Sequence, residues 1–166
     1  MTTTAAKTNT NELRVGMKAP DFSVAFDSGS CGKITSESLK GKHKVIYFYP
    51  KDDTPGCTQE AKEFRDALAD FEKAGAVIIG VSRDSVKSHD KFKEKYCLPF
   101  PLASDESGEM CEAYGTWVEK SMYGKAYMGV ERSTFLIDKN GVVRQMWRKV
   151  KVDGHVQDVL AAVKGL

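Results

Sequence analysis

The sequence contains no CxxC pair, and its four cysteines, Cys31, Cys57, Cys97 and Cys111, are scattered without paired spacing. That argues against a cysteine-ligated zinc site, a disulfide-dense secreted scaffold and CxxC dithiol chemistry. Histidine is equally sparse. His43, His89 and His155 stand apart, none at the spacing of a metal-binding helix, and each reads as a surface or hydrogen-bonded residue. There is no G-x-G-x-x-G turn and no phosphate-binding loop, so no cofactor and no metal are expected. No apolar run approaches the length of a transmembrane helix, and the N-terminus lacks the hydrophobic region of a signal peptide. The net charge is only +2, with acids and bases interspersed, which gives no reason to expect nucleic acid or an anionic membrane as partner. The nearest approach to a basic patch, Arg144, Arg148, Lys149 and Lys151, reads as a solvated strand face. A soluble, cytoplasmic protein is the expectation.

What is present suits one domain with a real core in a chain of 166 residues. Residues 1–11 are rich in Thr, Ala and Asn without periodicity and read as a disordered tail; a short transit peptide would want the arginine that this segment lacks. Residues 12–166 then form the domain.

The stretch around which the rest is organised runs from Tyr49 to Glu60. Before it, Val45 to Tyr49 is a β-branched and aromatic run typical of a strand buried on both faces. After it, Ala61, Phe64, Leu68 and Phe71 recur at helical spacing, predicting an amphipathic helix whose apolar stripe lies on that sheet, with Gly75 as its stop. At the junction Thr54 can serve as N-cap, Pro55 fits the first helical position and Cys57 falls at the third. Unpaired backbone N–H groups and the positive end of the helix dipole there favour thiolate over thiol. A reactive thiol and an inert, buried cysteine packing as a small hydrophobe are the two readings of that position.

The remaining elements alternate. Asp21 to Phe26 and a piece near Lys33 and Ile34 form an N-terminal hairpin around Ser28-Gly29-Ser30, and Ser36 to Leu39 is a brief helical turn. A second buried strand covers Ala76 to Ser82, a helix follows from about Ser85 to Tyr96, and a short strand holds Leu102 and Ala103. A short helix is expected between Glu106 and Tyr114, and Ser121 to Gly129 reads as irregular. Arg132 to Ile137 and Val142 to Trp147 are strands joined through Asn140-Gly141, and a helix from about Asp153 to Val163 closes the chain. The βαβα order implies parallel pairing, hence an α/β fold with a central mixed sheet flanked by helices.

Pro50-x-x-x-Thr54-x-x-Cys57 resembles the active-site signature of the peroxiredoxins, and Tyr49 to Ala61 is similar to the bacterioferritin-comigratory-protein, or Q-type, branch. Glu131 to Asp138 resembles the family's second active-site segment, Ala113 to Trp117 a stretch between the two, and Gly16 to Phe22 the family's opening. The resemblance implies a thioredoxin-like fold, a monomer, and a thiol-dependent peroxidase acting on hydrogen peroxide and small organic hydroperoxides. By it, Cys57 is the peroxidatic nucleophile, Arg132 a fixed charge over the sulfur, Thr54 the group orienting the peroxide and Pro50 a shield. Glu60 would hold the arginine. Without the family match Arg132 reads as an exposed edge arginine, Thr54 as a cap, Pro50 as a strand terminator and Glu60 as a helix-surface acid. Trp117 and Tyr49 read as packing residues.

After attack the cysteine becomes a sulfenic acid that must be reduced before further oxidation. Many Q-type members carry a second cysteine five residues after the first, where this chain has Lys62, or in the next helix, at a position aligned near Lys93. Three routes follow: a one-cysteine cycle in which thioredoxin, glutaredoxin or glutathione attacks the sulfenic acid; an atypical two-cysteine cycle through Cys97; and the poorer candidates Cys111 or Cys31. A peroxide sensor using the same site, or a disulfide reductase, are the competing functions.

Overall fold

The computed structural model describes residues 13–26 and 33–166. The expected tail at 1–11, the turn at Ser28-Gly29-Ser30 and Cys31 lie outside the described residues. Strand β3 (His43–Phe48) is the axis of the fold. Its neighbours are β4 (Ala76–Ser82), which runs parallel to it, and β8 (Ser133–Ile137), which runs antiparallel. A seven-stranded sheet extends outward from these in the order β2-β1-β5-β4-β3-β8-β9, with β1 at Ser23–Phe26, β2 at Lys33–Thr35, β5 at Leu102–Ser104 and β9 at Val143–Trp147. The β3, β4 and β5 trio is parallel and every other pair is antiparallel.

Period-two alternation divides β3 between two cores. Val45, Tyr47 and Tyr49 face the layer made by α1 (Pro55–Lys73), α2 (Val86–Tyr96) and α4 (His155–Lys164), while Ile46 and Phe48 face α3 (Glu109–Ala113) and the segment around Phe22. From Val45 to Tyr49 both sides of the chain are dry, which is why that stretch carries no charged residue. The predicted helical stripe is inside, with Ala61, Phe64 and Phe71 buried and Leu68 packed against them; Phe64 stacks on Tyr47 at a centroid distance of 4.6 Å. In α4, Val156, Val159, Leu160 and Val163 are all buried. The thioredoxin-like architecture expected from the resemblance is therefore present, a mixed sheet with helices on both faces.

Ser121 to Gly129 does not remain irregular. It lies within a hairpin of its own, β6 (Trp117–Met122) and β7 (Lys125–Val130), paired in register from Trp117 opposite Val130 to Met122 opposite Lys125. Its two-residue turn, Tyr123-Gly124, has positive φ at both positions, 53° and 78°, the geometry that matches strand twist. Tyrosine is an uncommon residue there, so the turn is poorly advertised in sequence. The predicted Asn140-Gly141 turn is present but built differently: Gly141 N–H donates to the Asp138 carbonyl, Asp138 Oδ1 accepts from Asn140 and Val142, and a register shift follows at Leu136/Ile137.

Candidate active site

Strand β3 delivers the chain to Tyr49, and five residues carry it over the sheet edge into α1. A buried hydrogen-bond network fixes that crossing. Asp52 accepts from the hydroxyl of Tyr49, from Ser88 Oγ at 2.7 Å and faces His89 Nδ1 at 2.7 Å, while its own N–H donates to Asp84 Oδ2 at 2.8 Å. The other ring nitrogen of His89 meets the Ala103 carbonyl at 3.0 Å. Asp52, Asp84 and His89 have the donor set of a cation site, but Asp52 Oδ2, Asp84 Oδ2 and both ring nitrogens of His89 are engaged by one another, by Ser82, by Ser88 or by backbone. His89 is thus hydrogen-bonded at both ring nitrogens, and His155 places its Nε2 2.8 Å from Thr134 Oγ1. Asp53, at φ 59°, accepts from Lys95 and Tyr96 at 2.9 Å each. The loop is thus pinned to α2 on both sides of the turn.

Helix α1 starts earlier than its apolar stripe, at Pro55, with Thr54 at the N-cap position. Thr54 makes no capping bond; its Oγ1 donates to the Lys51 carbonyl at 2.9 Å instead. Cys57 sits in the first turn, 1% exposed. Arg132, immediately before β8 rather than within it, extends over this turn and places Nη2 3.4 Å from Cys57 Sγ and Nη1 2.7 Å from Glu60 Oε1. Glu60 is not a helix-surface acid: it has no exposed area, and its Oε2 is buried without a hydrogen-bond partner. Burial pushes its carboxyl up to about 7, against the opposing pull of Arg132. For Arg132, the charges of Glu60 and Cys57 outweigh desolvation and raise its affinity for its proton.

Pro50 is exposed at the strand end and lines a groove with Lys51, Trp117, Lys120 and Met128. Cys97 is exposed at the C-terminal end of α2 in the left-handed conformation, φ 53°. Cys111 is fully buried, its N–H bonded to Asp105 Oδ2 at 2.7 Å, and burial followed by Asp105 pushes its thiol far above the ordinary range. Trp117 packs beneath Arg83, 4.5 Å from guanidinium carbon to ring centroid, and Tyr49 is core, in keeping with packing roles.

Two participants escaped the sequence reading. Gly56 leaves the space that Arg132 occupies, since a Cβ there would lie 3.0 Å from Nη2. The available signal was a glycine inside the first turn of a helix, where it is intrinsically disfavoured. Lys120, on β6, feels Arg132, Cys57 and Glu131, and burial lowers its affinity for its proton. It was missed because its hairpin was.

Comparison with known proteins points the same way. The chain matches the AhpC/TSA family over residues 15–146. It is 51% identical to peroxiredoxin Bcp of Bacillus subtilis over 154 residues, 93% of this chain and 97% of that protein. Among solved structures, the bacterioferritin comigratory protein of Xanthomonas campestris, a protein with alkyl peroxide reduction activity, is 47% identical with a TM-score of 0.85, covering 92% of this chain and 98% of its own. A mutant of PrxQ from Xylella fastidiosa superposes with a TM-score of 0.87 at 39% identity, over 93% and 97% of the two chains. The protein belongs to the AhpC/TSA family, as a thiol-dependent peroxidase of its Bcp, or Q-type, peroxiredoxin branch.

Proposed function

We propose that Cys57 is the peroxidatic residue of this enzyme, reducing hydrogen peroxide and small organic hydroperoxides. The observation that carries the reading is the guanidinium nitrogen of Arg132 at 3.4 Å from Cys57 Sγ, on a sulfur in the first turn of a helix. The thiolate attacks one peroxide oxygen, the O–O bond breaks, and the departing oxygen leaves as water or alcohol once protonated; the sulfur is left as a sulfenic acid. Arg132 supplies a charge that cannot be neutralised at physiological pH, aimed at both the thiolate and the oxygens on which charge develops. Thr54, whose hydroxyl proton is engaged with Lys51, keeps its oxygen lone pairs for the peroxide hydrogen, and Pro50 limits access to the sulfur.

For recycling, the reading is a one-cysteine cycle in which thioredoxin, glutaredoxin or glutathione attacks the sulfenic acid. The deep burial of Cys111 and its proximity to Asp105 speak against a thiolate there. Exposure of Cys97 at a left-handed helix end favours the second reading, an internal disulfide formed after α2 unwinds locally. Residues 12–166 act as one domain, in the cytoplasm and as a monomer; the free thiols of Cys57, Cys97 and Cys111 suit a reducing compartment.

Intact mass after one equivalent of hydrogen peroxide, with a sulfenic-acid trap in parallel, tests this. One added oxygen trapped at Cys57 supports the one-cysteine cycle; loss of two hydrogens means a disulfide, with peptide mapping to name the partner; no change overturns the peroxidatic assignment.

A further inference from the structure

Arg132 lies between two acids, the Cys57 thiol and the Glu60 carboxyl, each within reach of a different nitrogen of one guanidinium. Both acids are nearly or wholly removed from water. One fixed positive charge in so dry a place compensates one negative charge; a second would be an unpaired buried anion, which is expensive. We propose that Glu60 and Cys57 share a single negative charge against Arg132, so that Glu60 is protonated while Cys57 is a thiolate and gives up its proton as the sulfur becomes neutral. The proposal rests on the assignment of Cys57 above and assigns Glu60 a role beyond holding the arginine.

The carboxyl itself supplies the second observation. Glu60 Oε1 is satisfied by Arg132, whereas Oε2 is buried and has no donor. An ionised carboxylate would spread its charge onto that bare oxygen; a neutral carboxyl leaves only a hydroxyl there, at a smaller desolvation cost. The groups that face Glu60 reinforce this. Tyr47, from β3, is completely buried, its hydroxyl has no partner, and burial followed by the charge of Glu60 holds it neutral far above the ordinary phenol range. Glu63, one turn along α1, adds negative charge that disfavours ionisation of Glu60. On the opposing side are Arg132 and, through Arg132 and Cys57, Lys120 of β6. Asp52 and Cys57 act on Tyr47 in the same sense as Glu60. The raised affinity of Glu60 for its proton agrees with this arrangement.

The sharing closes the proton count of the reaction. Thiolate, protonated Glu60 and ROOH become sulfenic acid, ionised Glu60 and ROH: the S–O bond forms, the O–O bond breaks, and the carboxyl proton balances the one the leaving oxygen takes up. The buried site holds the same total charge before and after, so peroxide reduction requires no counter-ion to enter it. When a thiol reductant returns Cys57 to thiolate, Glu60 recovers a proton and the cycle resets.

The test needs no peroxide. Difference infrared spectroscopy near pH 7 is expected to show the carbonyl band of a protonated carboxyl in the reduced protein, absent in Cys57→Ala and absent after Cys57 is alkylated. A band present in all three, or in none, overturns the proposal. Glu60→Gln supplies the independent readout, because it keeps the Oε1 acceptor for Arg132 while deleting the charge. Thiolate absorbance, taken as the difference from the matching Cys57→Ser protein, is expected to titrate at a pH lower by about one unit, a tenfold change in acid dissociation. A merely structural Glu60 predicts no change or a shift to higher pH, and either result overturns the sharing. Peroxidase activity retained in Cys57→Ser, with both readouts as expected, would fault the assignment of Cys57 and leave the shared charge standing.

Discussion

Ser133 sits opposite Phe48 across the antiparallel β3 and β8 ladder. Because side chains and backbone advance together in such a pair, the residue before Ser133 is carried to the place where β3 gives way to the loop before Cys57. That residue is Arg132. Two segments some 75 residues apart are thereby brought to one point by a register that the dry, two-faced β3 leaves no freedom to slip, since a one-residue shift would exchange its two cores.

Cys57→Ser should abolish peroxide reduction, by about a thousandfold or more in the second-order rate, because a hydroxyl at this position is neither ionised nor a comparable nucleophile at neutral pH. Thermal unfolding should move little, as the replacement is close to isosteric in a site 1% exposed. Retention of full activity in a stopped-flow peroxide assay would remove Cys57 from the reaction.

Arg132→Ala should slow peroxide reduction by about a hundredfold and move the thiolate titration of Cys57 to higher pH, both following from loss of the charge 3.4 Å from the sulfur. Arg132→Lys should restore only part of either, since one ammonium cannot bond Glu60 and Cys57 in the same forked geometry. A titration unchanged in the alanine variant would place the guanidinium away from the sulfur in solution.

Gly56→Ala separates function from stability. Alanine is favoured over glycine within a helix by about 1 kcal/mol, yet its Cβ would stand 3.0 Å from Arg132 Nη2 and push the guanidinium off its present seat. The expected outcome is unchanged or higher resistance to urea together with a peroxide rate lower by roughly tenfold. Equal loss of both would mean that the crowding is absorbed by the helix rather than by the arginine.

Much of this site was legible because local chemistry and family signature coincide. Pro55 and Cys57 fall where a helix start places them, and the buried strands announce themselves by unbroken apolar runs. The failures have a common cause. Tyr123-Gly124 turns a hairpin whose residues are mostly exposed, Met122 and Tyr123 among them, so neither periodicity nor a familiar turn pair marked it. Burial of Glu60 could not be read from helical spacing, which puts it one turn beyond Cys57 without saying what stands opposite. Thr54 occupies the cap position but spends its hydroxyl on Lys51, a choice made by the loop that Asp52 and Asp53 pin down.

That loop predicts its own weak point. Asp52→Ala leaves Tyr49, Ser88 and His89 without the carboxylate that they share, in a setting only 7% exposed. A loss of about 3 kcal/mol in urea-unfolding stability is expected, the usual scale for removing one member of a buried charged network. The double variant Asp52→Ala with His89→Ala should lose clearly less than the sum of the single variants; additivity would show that the two side chains do not depend on each other.

Two buried groups of opposite sign, His155 and Glu60, contribute to the acid response of the fold. Burial lowers His155 from 6.5 to about 4, so between those values the unfolded chain binds a proton that the folded one does not, and stability falls as pH falls. Glu60 is raised from 4.5 to about 7, so across that window the folded chain holds the extra proton, and stability rises as pH falls. Each contributes a slope of at most about 1.4 kcal/mol per pH unit, and over the shared interval from 4.5 to 6.5 they oppose each other. Removing one should expose the other. Glu60→Gln is expected to lose urea stability more steeply than the parent protein as pH falls from 6.5 to 4.5, and His155→Gln to gain it relative to the parent over the same range. Taking each variant against the parent at every pH cancels the surface carboxylates common to both. Parallel curves for Glu60→Gln and the parent would mean that Glu60 binds its proton equally in both states, which its complete burial and unpartnered Oε2 do not allow.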